Sequence, residues 1–358
     1  MYDNRELVQN PQAVVYKAEG VDAMRVKYLV TGAAGNLGSS IVRELMAQDR
    51  EVRALVLPKD KAAKRIPKGV EVIEGDILNI EDLHHFFAIG EDTEVIVIHS
   101  AGIVTTYWEF VQVVHDVNVQ GTRNIVKMCL EKQVRKLVYI SSVHAIPELP
   151  KGQTILPISD FDPDKIIGFY GKTKAEASQI VMEAVRKQGL NASLVFPSGL
   201  CGPYDYTVGH VTQLLIDSVK GRLFAGVDGG YDFVDVRDVA KGVVACCEKG
   251  RKGEGYILGN RYVSVKEILH HVHRLTGVKE VRLMVPIWLA RLSVPILGIY
   301  YKIKRRPPIF TRYALYTVTS NSDFSSAKAR RELGYVPRPF EQTIADALAW
   351  LKSEGVIE

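Results

Sequence analysis

Cysteine is scarce in this 358-residue sequence and unpatterned: Cys129, Cys201, Cys246 and Cys247 form no Cys-x-x-Cys pair and no disulfide framework. That usage suits reduced thiols, so a cytoplasmic location is expected and no structural metal site is. No apolar run reaches the roughly 20 residues needed to span a bilayer. The most apolar segment, residues 285–301, contains Pro286, Arg291 and Pro295 and reads as a buried or substrate-covering helix. The basic run 302–306 that follows it leaves peripheral membrane contact open. Charge of one sign is also lacking, since the net charge is only +5 and the Lys and Arg are otherwise dispersed. A nucleic-acid partner therefore has no support. Residues 1–23 mix charge, Asn, Gln and Pro without the apolar core of a secretion signal, and read as an N-terminal extension. Internal repeats and low-complexity tracts are absent.

What is present is an alternation. Residues 25–31 form a β-rich run, followed by glycines and an apolar-periodic helix over 37–47. Further strands are expected at 51–57, 70–74, 94–98, 136–140 and 191–196, with a long helix over 111–131 and another over 172–188. Strands alternating with helices predict an α/β fold, a doubly wound parallel sheet covered on both faces. After Pro197 the rhythm breaks into loops, shorter helices and Pro-rich connections, as in a smaller, mostly helical second lobe. The expected division is a nucleotide-binding domain over 24–200, with 231–260 returning to it, and a substrate-binding lobe from 201–230 and 261–358.

Two local patterns carry chemistry. Gly32, Gly35 and Gly38 sit where the first strand hands over to a helix, with Ala34, Asn36 and Leu37 between and after them. The glycines permit a tight turn, close approach of backbone to a pyrophosphate, and packing of helix on sheet, while the helix N-terminus offers unpaired N–H groups to the anion. The second pattern is Tyr170 and Lys174, which share one helix face one turn apart. A phenol titrates near 10, and a fixed positive charge beside it favours the phenolate, so the pair suits proton transfer.

The Gly-x-x-Gly-x-x-Gly spacing together with Tyr170-x-x-x-Lys174 resembles the extended short-chain dehydrogenases/reductases, the NAD(P)-dependent epimerase, dehydratase and 3β-hydroxysteroid dehydrogenase group. The resemblance runs from Met24 to the C-terminus and implies a Rossmann fold. It implies that Asp76 and Ile77 contact the adenine, that Ser100, Ala101 and Gly102 form a cofactor-side loop, and that Asn118 starts a helix there. It implies a catalytic Ser142 and a nicotinamide contact at Pro197 and Ser198. Asn118 is expected either to place the catalytic groups or to cap its helix.

In the mechanism this resemblance implies, hydride passes between nicotinamide and a carbonyl carbon while Tyr170 gives or takes the proton. Lys174 eases phenolate formation and holds the ribose, and Ser142 donates to the substrate oxygen. NAD-selective sites place Asp or Glu at the end of the second strand, where this chain has Leu57, with Lys59 and Lys61 close behind. NADP is therefore favoured over NAD.

The substrate expectation rests on departures from the resemblance. Nucleotide-sugar members have Arg-Pro-x-Asn before Gly-Pro and an Arg before Asp-Phe; here Phe196 and Gly199 replace the first pair and Tyr231 the last. Three lost polar contacts disfavour a diphosphate. A hydrophobic ring compound of the hydroxysteroid or dihydroflavonol kind is expected instead, with Thr105, Thr106, Tyr107, Trp108, Tyr204, Asp205, Tyr206 and the region of Trp288 as candidate lining. A sugar-nucleotide epimerase or dehydratase is the first alternative, and a non-catalytic NAD(P)-binding regulatory protein the second. A homodimer is left open. His270 and His273 share a helix face but no neighbouring carboxylate, so no metal is expected there; His144 is close enough to Ser142 to border the substrate.

Overall fold

The computed structural model describes residues 24–292 and 311–358. The extension 1–23, the end of the apolar segment and the basic run 302–306 lie outside the described residues. The strands are Arg25–Thr31 (β1), Glu51–Val56 (β2), Glu71–Glu74 (β3), Thr93–His99 (β4), Lys136–Ile140 (β5), Ala192–Pro197 (β6), Gly199–Cys201 (β7), Gly226–Val227 (β8), Gly230–Asp235 (β9) and Gly255–Leu258 (β10). Two short ones follow, Arg261–Ser264 (β11) and Met284–Val285 (β12).

Seven strands form one parallel sheet in the order β10-β6-β5-β4-β1-β2-β3. The strand order reverses between β1 and β4, and in such sheets ligands bind beyond the carboxyl ends of the strands at that point. Both faces of the sheet are buried, which explains the nearly unbroken apolar strand sequences. Leu29, Val97, Leu137 and Tyr139 face one core, whereas Tyr28, Val30, Ile96, Ile98, Val138 and Ile140 face the other. The architecture is the expected Rossmann-like α/β fold. A strand the sequence pattern did not single out, β10, adds to the sheet beside β6.

A second sheet, β11-β9-β7, and a two-stranded pair, β12-β8, lie outside the main sheet. Val227, Val265, Leu269, Ala290 and Leu315 form a small apolar core of their own. Two helices differ from the expected ones. The stretch expected as one helix over 111–131 is Gln112–His115, a π turn over Asp116–Gln120, then Gly121–Glu131. The Tyr170 helix starts earlier, spanning Phe169–Gln188 between Gly168 and Gly189, both at positive φ. Among the described residues no helix is long and apolar enough to cross a membrane.

Candidate active site

The glycine loop is built so tightly that side chains are excluded. A Cβ on Gly32, whose φ is +66°, would lie 2.6 Å from the Ala101 nitrogen, and one on Gly38 would run into the Gly32 carbonyl oxygen. The loop thus presses against both the start of its own helix, Asn36–Ala47, and the turn after β4. Gly35 precedes that helix with no side-chain cap, so the first-turn N–H groups have no side-chain acceptor. Beside them the Asn36 Oδ1 is buried without a partner. Uncapped donors and an orphaned acceptor in a glycine cradle fit a dinucleotide diphosphate and its ribose.

A cavity of about 680 Å³ opens from this cradle. Gly32, Gly35, Asn36, Leu37, Gly38, Ser100, Gly102, Ser142, Tyr170, Lys174, Pro197 and Ser198 all line it, so residues far apart in the chain meet at one site. Ala34, Leu57, Lys59, Asp76, Ile77, Ala101 and Asn118 stand outside its wall. Ala101 backs Gly32, Leu57 is exposed at the end of β2, and Ile77 packs against Gly121. Asp76 turns one carboxylate oxygen to the Leu78 N–H at 2.9 Å.

Asn118 does not cap a helix. It lies inside the π turn Asp116–Gln120, and its side chain is buried. The side chain accepts from the Ile103 N–H at 2.8 Å and donates to the Ile103 carbonyl and the Thr173 hydroxyl, both at 3.0 Å. It therefore ties the loop after β4 to the residue before Lys174.

The helix Phe169–Gln188 is seated by glycines the motif reading passed over. A Cβ on Gly171 would lie 2.6 Å from the His144 carbonyl oxygen, and Gly168 makes room for the Tyr313 ring. Of the two serines after β5, Ser141 is spoken for: it pairs with Ser178 at 2.7 Å, and Ser178 in turn donates to the Lys174 carbonyl. Ser142 caps the short turn Val143–Ala145 and faces the cavity. Burial pushes the Tyr170 phenol up to about 12, partly offset by the Ser142 hydroxyl. The Lys174 ammonium donates to the Ile140 carbonyl at 2.6 Å and sits 4.4 Å above the Tyr139 ring. Burial holds its pKa down to about 7. The Ser198 hydroxyl donates to Asp232 at 2.5 Å and its backbone N–H to the Leu258 carbonyl at 3.3 Å.

Beyond Tyr170 the wall is Val211, Leu214, Val227, Val265, Ile268 and Leu315, with His144, Tyr231, Phe233 and Tyr313. Of the residues expected to line it, Thr105, Thr106 and Asp205 do. Tyr107 and Trp288 are two-thirds exposed, and Trp108 packs edge-on against Tyr313 and Tyr316 outside the wall. Tyr204 and Tyr206 are turned away as well, edge-on to Trp350 and under the guanidinium groups of Arg43 and Arg65. The aromatic character of these loop residues is spent on packing the loop.

Tyr231, His144 and Tyr313 come together from three distant segments. Only the departure at Tyr231 and the nearness of His144 to Ser142 hinted at two of them. Elsewhere, His270 pairs with Glu280 at 2.9 Å, a carboxylate supplied from ten residues on, and His273 with the Val278 carbonyl at 2.7 Å. No group of three metal-binding side chains occurs among the described residues.

The chain matches the model of the NAD dependent epimerase/dehydratase family over residues 28–259. It is 32% identical to sterol demethylase protein B of Methylococcus capsulatus, covering 92% of this chain and 99% of that protein. It is 28% identical to a putative dihydroflavonol 4-reductase of Synechocystis, over 94% and 97%. UDP-glucose 4-epimerase of Thermotoga maritima, solved with UDP-glucose, has the same fold at a TM-score of 0.73 and 20% identity, covering 92% of this chain and 99% of that one. With the glycine cradle, the reversal of strand order and the single cavity joining them to Tyr170, these matches place the chain in the NAD-dependent epimerase/dehydratase family.

Proposed function

We propose that the protein interconverts a secondary alcohol and a ketone on a hydrophobic ring substrate, of the hydroxysteroid or dihydroflavonol kind. Family membership makes it an NAD(P)-dependent dehydrogenase or reductase; the ring substrate is the added claim. One observation carries that claim: among the described residues the cavity wall holds no arginine, its only Lys is Lys174, and its far side is mostly aliphatic and aromatic, with Asp205, Thr207, His210 and Thr317 as its polar members. A nucleotide diphosphate would lose its hydration there without matched donors, whereas a fused-ring compound would replace water favourably.

The bound cofactor supplies or accepts the hydride. Tyr170 is the proton donor in reduction and the acceptor in oxidation, at its phenolic oxygen. Ser142 donates to the substrate oxygen and stabilises the negative charge that develops on it. Lys174, freed from the Ile140 carbonyl, holds the ribose and favours the phenolate. NADP is the preferred cofactor on this reading: Leu57 offers no carboxylate at the end of β2, and the nearby Asp60 already caps a turn through the Ala62 N–H at 2.8 Å. Lys59, exposed at positive φ, is free to meet a 2′-phosphate.

Purified protein is assayed against steroid, flavonoid and UDP-sugar panels by the absorbance of reduced cofactor, with NAD and NADP in parallel. Turnover of ring alcohols or ketones with a lower KM for NADP is expected. Turnover of UDP-sugars alone would overturn the substrate assignment, and a strong NAD preference the cofactor assignment.

A further inference from the structure

His144 stands between two phenols. Its ring stacks on Tyr231 with centroids 5.7 Å apart and planes at 8°, and Tyr313 flanks it at 5.8 Å. The Tyr231 hydroxyl lies 3.4 Å from Nε2 and the Tyr313 hydroxyl 3.3 Å from Nδ1. All three side chains line the cavity, and Tyr170 meets the same imidazole edge-on at 6.1 Å. Burial lowers the His144 pKa to about 4, so the ring is neutral at physiological pH and carries a single N–H.

Hydrogen counting follows from that. A neutral imidazole donates once and accepts once, so one phenol must give its proton to the ring and the other must receive the ring N–H. The receiving phenol then keeps an unspent O–H. No other hydrogen bond from either phenol occurs among the described residues. Both tyrosines are at most 5% exposed, with Phe233 and Phe324 packed against the ring of Tyr231 and Trp108 and Tyr316 against that of Tyr313. Solvent can satisfy the spare O–H, but a ring substrate that fills the cavity excludes solvent from it. A buried donor left without an acceptor is costly, which is how a polar group in an apolar pocket rejects ligands lacking its partner.

We infer that the Tyr231–His144–Tyr313 chain is a specificity site that takes an acceptor oxygen on the substrate, a second hydroxyl, carbonyl or carboxylate distinct from the oxygen handled by Tyr170 and Ser142. This rests on the proposed ring substrate and narrows it from any hydrophobic alcohol or ketone to one carrying two oxygens. The chain is neutral, so it selects by hydrogen bonding and not by charge.

The test measures binding by calorimetry, with reduced cofactor present, for matched ketones differing in one hydroxyl: a dihydroflavonol against the flavanone that lacks it, and hydroxylated 3-ketosteroids against their parents. Wild-type protein is expected to bind at least one dioxygenated member on the order of 10- to 100-fold more tightly than its partner. Tyr231→Phe/Tyr313→Phe is expected to bring that ratio close to one by weakening the dioxygenated ligand alone. Should the double variant not fold, the two single variants decide, because one of the two phenols carries the spare hydrogen and at least one variant must lose the preference. Equal wild-type affinity within every pair, or a preference that survives in the variants, would overturn the inference while leaving the ring-substrate reading intact. Failure of the wild type to bind or turn over any ring ketone would instead bring down the reading beneath it.

Discussion

The ammonium of Lys174 donates to the Ile140 carbonyl at 2.6 Å, although Tyr170 stands one turn away on the same helix face. Burial alone therefore dominates the Tyr170 phenol and holds it at about 12. A protonated phenol at neutral pH is ready to act as an acid. Tyr170→Phe should lower turnover by on the order of 10²- to 10⁴-fold. Cofactor affinity, read by fluorescence titration, should barely change; undiminished turnover would remove Tyr170 as the proton donor.

If Lys174 holds the cofactor as proposed, cofactor binding should carry a pH signature. Its pKa of about 7 reflects desolvation, and an anionic dinucleotide favours the charged form, so binding raises that pKa and takes up a proton above pH 7. Affinity should accordingly fall as pH rises through 7, and Lys174→Met should flatten the dependence. Titrations of reduced cofactor at pH 6 and pH 9 read this directly.

Gly38→Ala should be far more damaging than an ordinary helix Gly→Ala change, which is mildly stabilising. The added methyl meets backbone, the Gly32 carbonyl, and not a yielding side chain. Loss of cofactor binding with a lowered Tm is the expected result; a variant that binds cofactor normally would contradict the tight cradle.

Asn118→Leu should destabilise the fold by about 1–3 kcal/mol, since it strips partners from both the N–H and the carbonyl of Ile103. Turnover should fall with it, because the same amide holds Thr173 beside Lys174. Asn118→Asp keeps the acceptor to the Ile103 N–H and should recover part of the stability in urea unfolding.

Acid should unfold the protein through buried histidine. Burial, and secondarily the charge of Lys174, lower the pKa of fully buried His99 to about 3 from an ordinary 6.5. The unfolded chain binds the extra proton, so the contribution is complete above pH 6.5 and is lost as pH falls from 6.5 toward 3. His99 alone contributes a slope of about 1.4 kcal/mol per pH unit in that window. His144, lowered to about 4, adds in the same direction. Urea titrations from pH 7 to pH 4 should show a shallower slope in His99→Asn.

How much of the site was legible depended on whether a residue's role is local. The glycine spacing could be read because a strand-to-helix turn of that kind needs a positive φ at Gly32 and leaves no room for a Cβ at Gly38 against the Gly32 carbonyl, both features of the local backbone. Tyr170 and Lys174 could be paired because helical spacing alone puts them on one face. The aromatic loop residues misled for the opposite reason. Tyr204, Tyr206 and Trp108 are apolar enough to line a pocket, yet they found partners in Trp350, Arg43, Arg65, Tyr313 and Tyr316, none adjacent in sequence.

By itself the sequence determined the alternating α/β order, the cradle at Gly32, Gly35 and Gly38, and the Tyr170–Lys174 face, because each follows from backbone sterics and side-chain periodicity within a few residues. The tertiary structure alone decided that the Lys174 ammonium rests on Ile140, that Asn118 clamps Ile103 from within a π turn, and that Tyr231 and Tyr313 close on His144. Those contacts join segments between 15 and 169 residues apart. No periodicity encodes them; they exist only once the sheet order and the packing of the segments around the sheet have brought these residues together.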